Sequence, residues 1–426
     1  MRVMVLGAGL IGGALAAALR ARGHQLIQAR RGAHADSPGA VALDFTALPD
    51  DTTLGRAMTD VDVLVNTVGI FRQTAQQSFD AVHVNAPARL FEAARSAGVR
   101  RVLQLSALGA DAASPIPYLA SKGRADAALL AACPMECCVV RPSLVFSPRG
   151  ASTRWFASLA GLPLTPLPGF GLQRIQPLHL DDLVALLVRL VEAPTVPEIL
   201  EAVGPRAVSL RSYLALFKRA MGMGGATLPV PIALARAGAW LAARAWPRAP
   251  VDTDALSMLA QGSIGDPQPM AQWLGRAPRP PEKFFDGLPL AHMRRDALLA
   301  WSVPLMRLAL AAMWIATGVI SLWVYPRASS LELLAQVGLE GTLASAALWS
   351  AALLDFAIGV ALLVMRQRRP LYLAQLALVA AYTLIITIWL PEQWQHPFGP
   401  VLKNLPLLAM IAALAALDRD DGPDLR

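Results

Sequence analysis

The sequence predicts an α/β domain with a doubly wound parallel sheet, a small, mostly helical subdomain completing it, and an all-α bundle of four transmembrane helices at the C-terminal end. Three observations predict it: strand-like and helix-like segments alternate up to about residue 141, a glycine-rich turn joins the first strand to the first helix, and four long apolar runs follow residue 300. Of the 426 residues, 55% are hydrophobic and only 16% charged, against about 25% charged in an ordinary soluble domain. Mean hydropathy is +0.45. Such a chain can bury ample apolar surface, which excludes disorder. Three cysteines exclude a disulfide-stapled module.

Arg2–Leu6 reads as a short buried strand, and Gly7-Ala8-Gly9-Leu10-Ile11-Gly12 follows at once, leading into an Ala/Leu-rich helix over Gly13–Arg22. A G-x-G-x-x-G turn between strand and helix is the context in which the motif binds a dinucleotide. Gly7 permits the tight turn, Gly9 lets a pyrophosphate reach the backbone, and Gly12 lets helix and strand pack closely. The second strand, Gln25–Ala29, ends in Arg30-Arg31, and no acid precedes Asp36. An NAD site usually places an acid here for the ribose hydroxyls, whereas Arg accommodates a 2′-phosphate, so NADP(H) is favoured over NAD(H); the alternative is two solvated surface arginines. Asp44, after the apolar Val41–Leu43, is either placed for an adenine edge or a turn residue.

The alternation continues with a strand over Val61–Asn66, leading into Thr67-Val68-Gly69, a helix over Phe79–Ala97, a strand over Arg101–Ser106, a helix over Pro117–Ala132 and a strand over Cys137–Arg141. Ligands of such sheets sit at the strand C-termini. That end carries Tyr118-Leu119-Ala120-Ser121-Lys122, whose Tyr118 and Lys122 share one helix face at i and i+4. A phenol with a pKa near 10 is a poor acid–base group at neutral pH, and an adjacent ammonium should lower that pKa. Ser106, at a strand end, could hold a substrate oxygen. Lys is scarce here: only Lys122, Lys218, Lys283 and Lys403 occur, which makes one at this offset from a Tyr informative.

Five stretches together carry a resemblance: the Gly7/Gly9/Gly12 turn, Leu105–Ala110, Tyr118–Lys122, Arg141-Pro142-Ser143-Leu144-Val145-Phe146, and Gln176-Pro177-Leu178-His179-Leu180-Asp181-Asp182. Residues 1–290 resemble an atypical short-chain dehydrogenase/reductase, a Rossmann-type fold, and within it the group around the NAD(P)H-binding accessory subunit of respiratory complex I. The resemblance implies a cofactor site of Gly7, Gly9, Leu10, Ile11, Gly12, Arg30, Arg31, Asp44, Thr67, Val68, Gly69, Lys122, Pro142 and Val145, and a catalytic set of Ser106, Tyr118 and Lys122. Two departures stand out. The glycine spacing is shorter than the G-x-x-G-x-x-G of extended members, and Ser106 lies only 12 residues before Tyr118. The short loop bears on turnover more than on nucleotide binding.

The expected boundaries are a nucleotide-binding core over 1–150, a substrate subdomain over 151–295 and a membrane domain over 296–420. Leu228–Trp246, with Arg236, Arg244 and two tryptophans, reads equally as an interfacial helix on anionic lipid or as core packing. Cys133, Cys137 and Cys138 have no His nearby and read as small buried hydrophobes; no metal site is expected. His179 is expected to be structural.

Residues 1–295 hold 30 basic and 21 acidic residues, a net of +9, and residues 296–426 hold eight and nine, a net of −1. The apolar runs are Val303–Val324, Thr342–Met365, Leu371–Leu390 and Phe398–Leu417, each near the ~20 residues that span a bilayer. Arg294 and Arg295 precede the first, and Arg366, Arg368 and Arg369 separate the second from the third. The positive-inside rule then places both termini, and the nucleotide domain, on the cytoplasmic side of the inner membrane. No cleavable signal is visible, and the cysteines should stay reduced. Arg307, Asp355 and Lys403 lie within the spans, where partners inside the bundle or snorkelling are expected. Arg307, with His396-Pro397-Phe398-Gly399-Pro400 leading to Leu402-Lys403-Asn404-Leu405-Pro406, resembles the DoxX-like four-helix membrane family.

Two functions follow. The first is a membrane-anchored NAD(P)-dependent oxidoreductase acting on a lipid-soluble carbonyl, alcohol or quinone. The second is a non-catalytic NADP(H)-binding scaffold or assembly factor of a membrane complex. A transporter with a regulatory nucleotide domain would need a polar path through the bundle. Nucleic-acid binding is not expected, because phosphate binding and an anionic membrane surface account for the basic charge.

Overall fold

Five strands at the front of the chain set the frame: β1 (Arg2–Leu6), β2 (Gln25–Arg30), β3 (Ala40–Ala42), β4 (Val63–Asn66) and β5 (Arg101–Leu105). With β6 (Glu136–Pro142) and the Ile199–Ala202 strand they form one parallel sheet in the order Ile199–Ala202, β6, β5, β4, β1, β2, β3. The computed structural model describes residues 1–32, 39–131, 135–245, 253–397 and 399–418. It divides into two units, Met1–Ala297 and Leu298–Arg426.

Successive β1 side chains point to opposite faces. Val3 and Val5 pack with Leu15, Leu19, Leu183 and Leu187 on one face. Met4 and Leu6 pack with Leu54, Leu90 and Ala94 on the other. Both faces are covered, which is why β1 and β4 are continuously apolar rather than alternating. The order reverses direction between β1 and β4, so the turns after these two strands flank a crevice at the carboxyl edge.

The helices are α1 (Leu10–Ala21), α2 (Asp51–Ala57), α3 (Ala86–Ser96) and α4 (Pro117–Ala131). Three details depart from expectation. Strand β3 and helix α2 are additional; α2 is capped by Asp50, whose carboxylate accepts from the Thr53 amide at 2.8 Å. The single helix expected over Phe79–Ala97 is a π-helical turn, Asp80–Asn85, followed by α3. Pro87 cannot donate to the carbonyl four residues back, and a wider turn absorbs that break. Beyond the main sheet there are also three two-stranded sheets among the described residues, one of them Ala226–Val230 paired with Leu164–Pro168 in the subdomain.

His179 is structural in its contacts. Its Nδ1 accepts the Asp181 amide at 3.2 Å, and its ring lies 5.6 Å from Phe146 in an aromatic cluster. Cys138 is a buried free thiol, pushed up to about 12 by burial, whereas Cys137 is disulfide-bonded, contrary to the reduced thiols expected. Cys133 and Trp246 lie outside the described residues.

In the second unit three segments are long and apolar enough to cross a membrane: Leu290–Val324, Gly341–Val364 and Arg369–Trp389. The expected fourth span is a 14-residue helix, Asn404–Leu417. At about 1.5 Å per residue it reaches only about 21 Å, short of a roughly 30 Å hydrocarbon core. Pro397, Gly399 and Pro400 delay its start. A short helix, Arg327–Gln336, also interrupts the first inter-span loop. Arg307 pairs with Asp418 at 2.6 Å, and the Tyr372 hydroxyl donates to the same carboxylate at 2.6 Å. Deeper in, Trp314 Nε1 donates to Gln375 Oε1 at 2.8 Å. Asp355 is buried, and its Oδ1 has no partner among the described residues. Lys403 is exposed.

Candidate nucleotide and catalytic site

The turn between β1 and α1 is shaped to bring a ligand against bare backbone. Gly7 adopts φ +101°, a conformation that favours glycine. A Cβ on Gly12 would lie 2.3 Å from the Gly7 carbonyl oxygen and 2.4 Å from Thr67 Oγ1, so the α1 start packs directly on the turns after β1 and β4. A Cβ on Gly9 would meet nothing within 4 Å. Space is therefore kept open at Gly9, the position that a pyrophosphate approaches. Gly9 is also the N-cap of α1, without a side-chain cap and with no acid in the first turn. The free amides at this helix start suit an anion. These residues fit a dinucleotide. Leu10 borders the opening, exposed, and Ile11 is half-buried.

Thr67 holds the second turn in place: its hydroxyl donates to the Leu6 carbonyl at 2.7 Å. The Val68 amide donates to Asn66 Oδ1 at 3.1 Å. Pro142 and Val145, at the end of β6 and just after it, are half-buried. Arg30 and Arg31 are exposed at the end of β2. Asp44 Oδ1 accepts from the Thr46 amide at 2.8 Å and the Thr46 hydroxyl at 2.7 Å; these bonds, with a smaller contribution from Arg31, hold its carboxyl below the usual range. The geometry is that of a turn, the second of the two roles open to it.

Helix α4 buries both Tyr118 and Lys122. Lys122 Nζ donates to the Leu105 carbonyl at 3.1 Å, and a Cβ on Gly69 would lie 3.2 Å from it. The ammonium thus stands where the ends of β4 and β5 meet. Burial pulls it down to about 8, against the opposing charge of Asp126. The Tyr118 phenol moves up, not down as expected, because burial comes first and the Asp126 carboxylate adds to it. The pairing with Lys122 does not overcome desolvation here.

The hydroxyl of Ser106 donates to Asp126 Oδ2 at 2.8 Å. Its only proton is therefore committed, and it has none left for a substrate oxygen in this arrangement. Asp126 is also paired with Arg141 at 2.9 Å, and burial raises its carboxyl against the help of Ser106, Arg141 and Lys122. His83 was not anticipated. It lies on the π-helical turn, accepts the Ile70 amide on Nε2 at 3.0 Å and bonds Ser121 Oγ through Nδ1 at 2.8 Å. Burial, then the Lys122 charge, pushes it down to about 3, so it is neutral. Phe71, 77% exposed, stacks on Tyr118 at 5.1 Å, and Phe79 and His83 meet the same ring edge-on. Asp126 shares the α4 face at i+4 from Lys122, a spacing the sequence already offered, whereas His83 and Phe71 reach Tyr118 or Lys122 only through the tertiary fold.

Residues 3–202 match the NAD dependent epimerase/dehydratase family, and residues 311–412 match the DoxX-like family. The chain joins an NAD-binding epimerase/dehydratase-type domain to a DoxX-like domain. The first of these is similar to NADH dehydrogenase (ubiquinone) 1 alpha subcomplex subunit 9 of Arabidopsis thaliana, 30% identical over 141 residues, which are 33% of this chain and 35% of that protein. The mouse (Mus musculus) protein of the same name is 27% identical over 188 residues, 43% and 49% of the two chains. A ceramide reductase of Caulobacter vibrioides is 30% identical over 142 residues, 33% and 44%. The chain thus spans about a third to a half of the length of these relatives. In architecture the epimerase/dehydratase-type domain is similar to a nucleoside-diphosphate-sugar epimerase of Staphylococcus aureus, with a TM-score of 0.54, 16% identity, and 67% of this chain and 99% of that one covered. A UDP-glucuronic acid 4-epimerase of Bacillus cereus in complex with NAD gives 0.52, 16%, 71% and 100%. At these identities the likeness is one of fold.

Proposed function

We propose that this protein is a membrane-anchored NAD(P)-dependent oxidoreductase of the short-chain dehydrogenase/reductase type, acting on a lipid-soluble carbonyl, alcohol or quinone-like substrate. The observation that carries this reading is the buried Tyr118/Lys122 pair one helical turn apart, with the Lys122 ammonium against Gly69 in the turn after β4. A bound nicotinamide supplies or accepts the hydride. Tyr118, held protonated by its burial, donates the proton to the substrate oxygen when a carbonyl is reduced. Lys122, still mostly charged at neutral pH, holds the nicotinamide ribose and stabilises the phenolate left behind. Ser106 orients the substrate oxygen once its proton turns from Asp126 to the substrate. Arg30 and Arg31 favour a 2′-phosphate and hence NADP(H). The arginines beside the first and second spans favour a cytoplasmic nucleotide domain, and the Asn404–Leu417 helix, lengthened by the turn over Pro400–Lys403, is taken as the fourth crossing that returns the C-terminus to the same side.

A second reading has its own observation. Tyr118 is covered by Phe71, Phe79 and His83, as in a domain that binds NADP(H) without turnover and serves the stability of a membrane complex. The Arabidopsis and mouse relatives are by name subunits of a mitochondrial NADH dehydrogenase. The test is NADPH oxidation by the reconstituted full-length protein with a quinone or lipid aldehyde. Turnover that falls roughly 10²–10⁴-fold in Tyr118→Phe, with nucleotide affinity retained, is expected of the enzyme. NADPH binding with no turnover, and a Tyr118→Phe variant that complements a deletion strain like the parent, would establish the scaffold instead.

A further inference from the structure

The helix Ile232–Ala245 is apolar yet almost unpacked. Among its described side chains Ala239 is buried, whereas Ile232, Leu234, Trp240 and Leu241 are 44%, 63%, 50% and 58% exposed. Beside it runs the Gly169–Gly171 turn, where a Cβ on Gly169 would lie 4.0 Å from Ile232 and where Phe170 is 65% exposed. A helix with this much apolar surface is normally buried, and contiguous exposed apolar surface of this kind marks an interaction site. Along this part of the chain the charge has one sign. From residue 202 to residue 251 the chain contains seven basic residues and no acid, with Arg236 and Arg244 on this helix. The Arg244 guanidinium lies 4.9 Å from the Trp240 ring, an aromatic–cation pair suited to the headgroup level of a bilayer.

We infer that the helix Ile232–Ala245, with Phe170, is a second membrane contact of this protein, lying in the interface of an anionic bilayer leaflet without crossing it. Three arguments favour lipid as the occupant. The helix has the apolar surface and the Arg-only charge of interfacial helices. The same chain carries membrane-spanning segments, so a bilayer is always within its reach. A second copy of the chain fits poorly, because a two-fold contact would set Arg236 and Arg244 against their own copies with no acid on the helix to offset them. At fourteen residues the helix is about 21 Å long, too short to cross. This inference is independent of whether the Tyr118 site turns over.

The test uses the full-length protein in proteoliposomes, with the photo-crosslinking residue p-benzoylphenylalanine at Leu234 or Leu241 and, as control, at the exposed Ala88 of α3. Mass spectrometry should find phospholipid adducts at 234 and 241 and none at 88. Each basic residue near an anionic surface is worth about fivefold in association. Replacing phosphatidylglycerol by phosphatidylcholine, or introducing Arg236→Gln with Arg244→Gln, should therefore cut adduct yield several-fold and leave nucleotide affinity unchanged. Protein adducts without lipid at 234 and 241, equal yields at 88, or yields indifferent to lipid charge would overturn the inference.

Discussion

Around Tyr118 the decisive quantities are burial and who holds which proton. His83 is neutral because its ring is buried beside Lys122, and its two nitrogens tie the Ile70 amide to Ser121 on α4. Its ordinary value is 6.5 and its folded value about 3, so the unfolded chain binds the proton first as pH falls. The stability this neutral ring retains is complete above about pH 6.5 and is lost progressively down to about pH 3, at up to about 1.4 kcal/mol per pH unit. Denaturant unfolding of the parent and His83→Gln should therefore show a steeper acid-side loss in the parent; parallel profiles would show that the ring is not buried neutral. Lys122 acts at the alkaline side. It sheds its proton above about pH 8 in the free protein, so nucleotide affinity should fall as pH rises past 8 in the parent and stay flat in Lys122→Met, as read by titration calorimetry.

Elements rather than single residues make the cradle. The β1–α1 turn separates two kinds of glycine, and substitution should separate them too. Gly12→Ala drives a methyl to 2.3 Å from the Gly7 carbonyl; overpacking of this kind costs about 1–3 kcal/mol, visible as a lowered melting temperature without nucleotide. Gly9→Ala meets open space and should leave that melting temperature nearly unchanged while weakening dinucleotide binding at least tenfold. Equal melting losses in both would mean that Gly9 is structural as well. The end of β2 governs cofactor choice. If Arg30 and Arg31 hold a 2′-phosphate, replacing both by Ala should cost NADPH about 10–150-fold and NADH little, since a charge-assisted bond contributes about 1.5–3 kcal/mol. Equal affinities of the parent for the two nucleotides would remove that reading.

At the scale of the whole molecule, the arginine pattern of the loops and the polar contacts of the membrane unit can be tested apart. Single-cysteine labelling should reach position 393 from outside and position 367 from inside; the reverse would invert the topology. Arg307 and Tyr372 both serve the Asp418 carboxylate just past the last helix. Arg307→Met leaves a nearly buried carboxylate without its cation, a loss of about 3–5 kcal/mol in buried pairs, and should lower the thermal stability of the detergent-solubilised protein. Arg307→Met with Asp418→Asn should recover most of it. Without recovery, the pair is not what the loss reports.

Local patterns carried much of this architecture. Strands β1, β2, β5 and β6 lie within a residue of where the apolar runs place them, because a strand covered on both faces must be continuously apolar. The glycine turn was legible because each of its glycines answers a backbone requirement that no other residue meets. The π-helical turn was not, since helical periodicity hardly registers one extra residue per turn; nor was the shortened last helix, where the apolar run continues past the point at which Pro397, Gly399 and Pro400 stop the backbone from coiling. Only the tertiary structure decided the electrostatics at Tyr118. The i to i+4 spacing brings Lys122 near and, one turn further on, Asp126, but His83, Phe79 and Phe71 arrive from other segments, and the burial of the folded site moves the phenol the opposite way. Spacing along a helix reports which neighbours share a face; a pKa answers to the whole surrounding volume, and that volume exists only once the chain is folded.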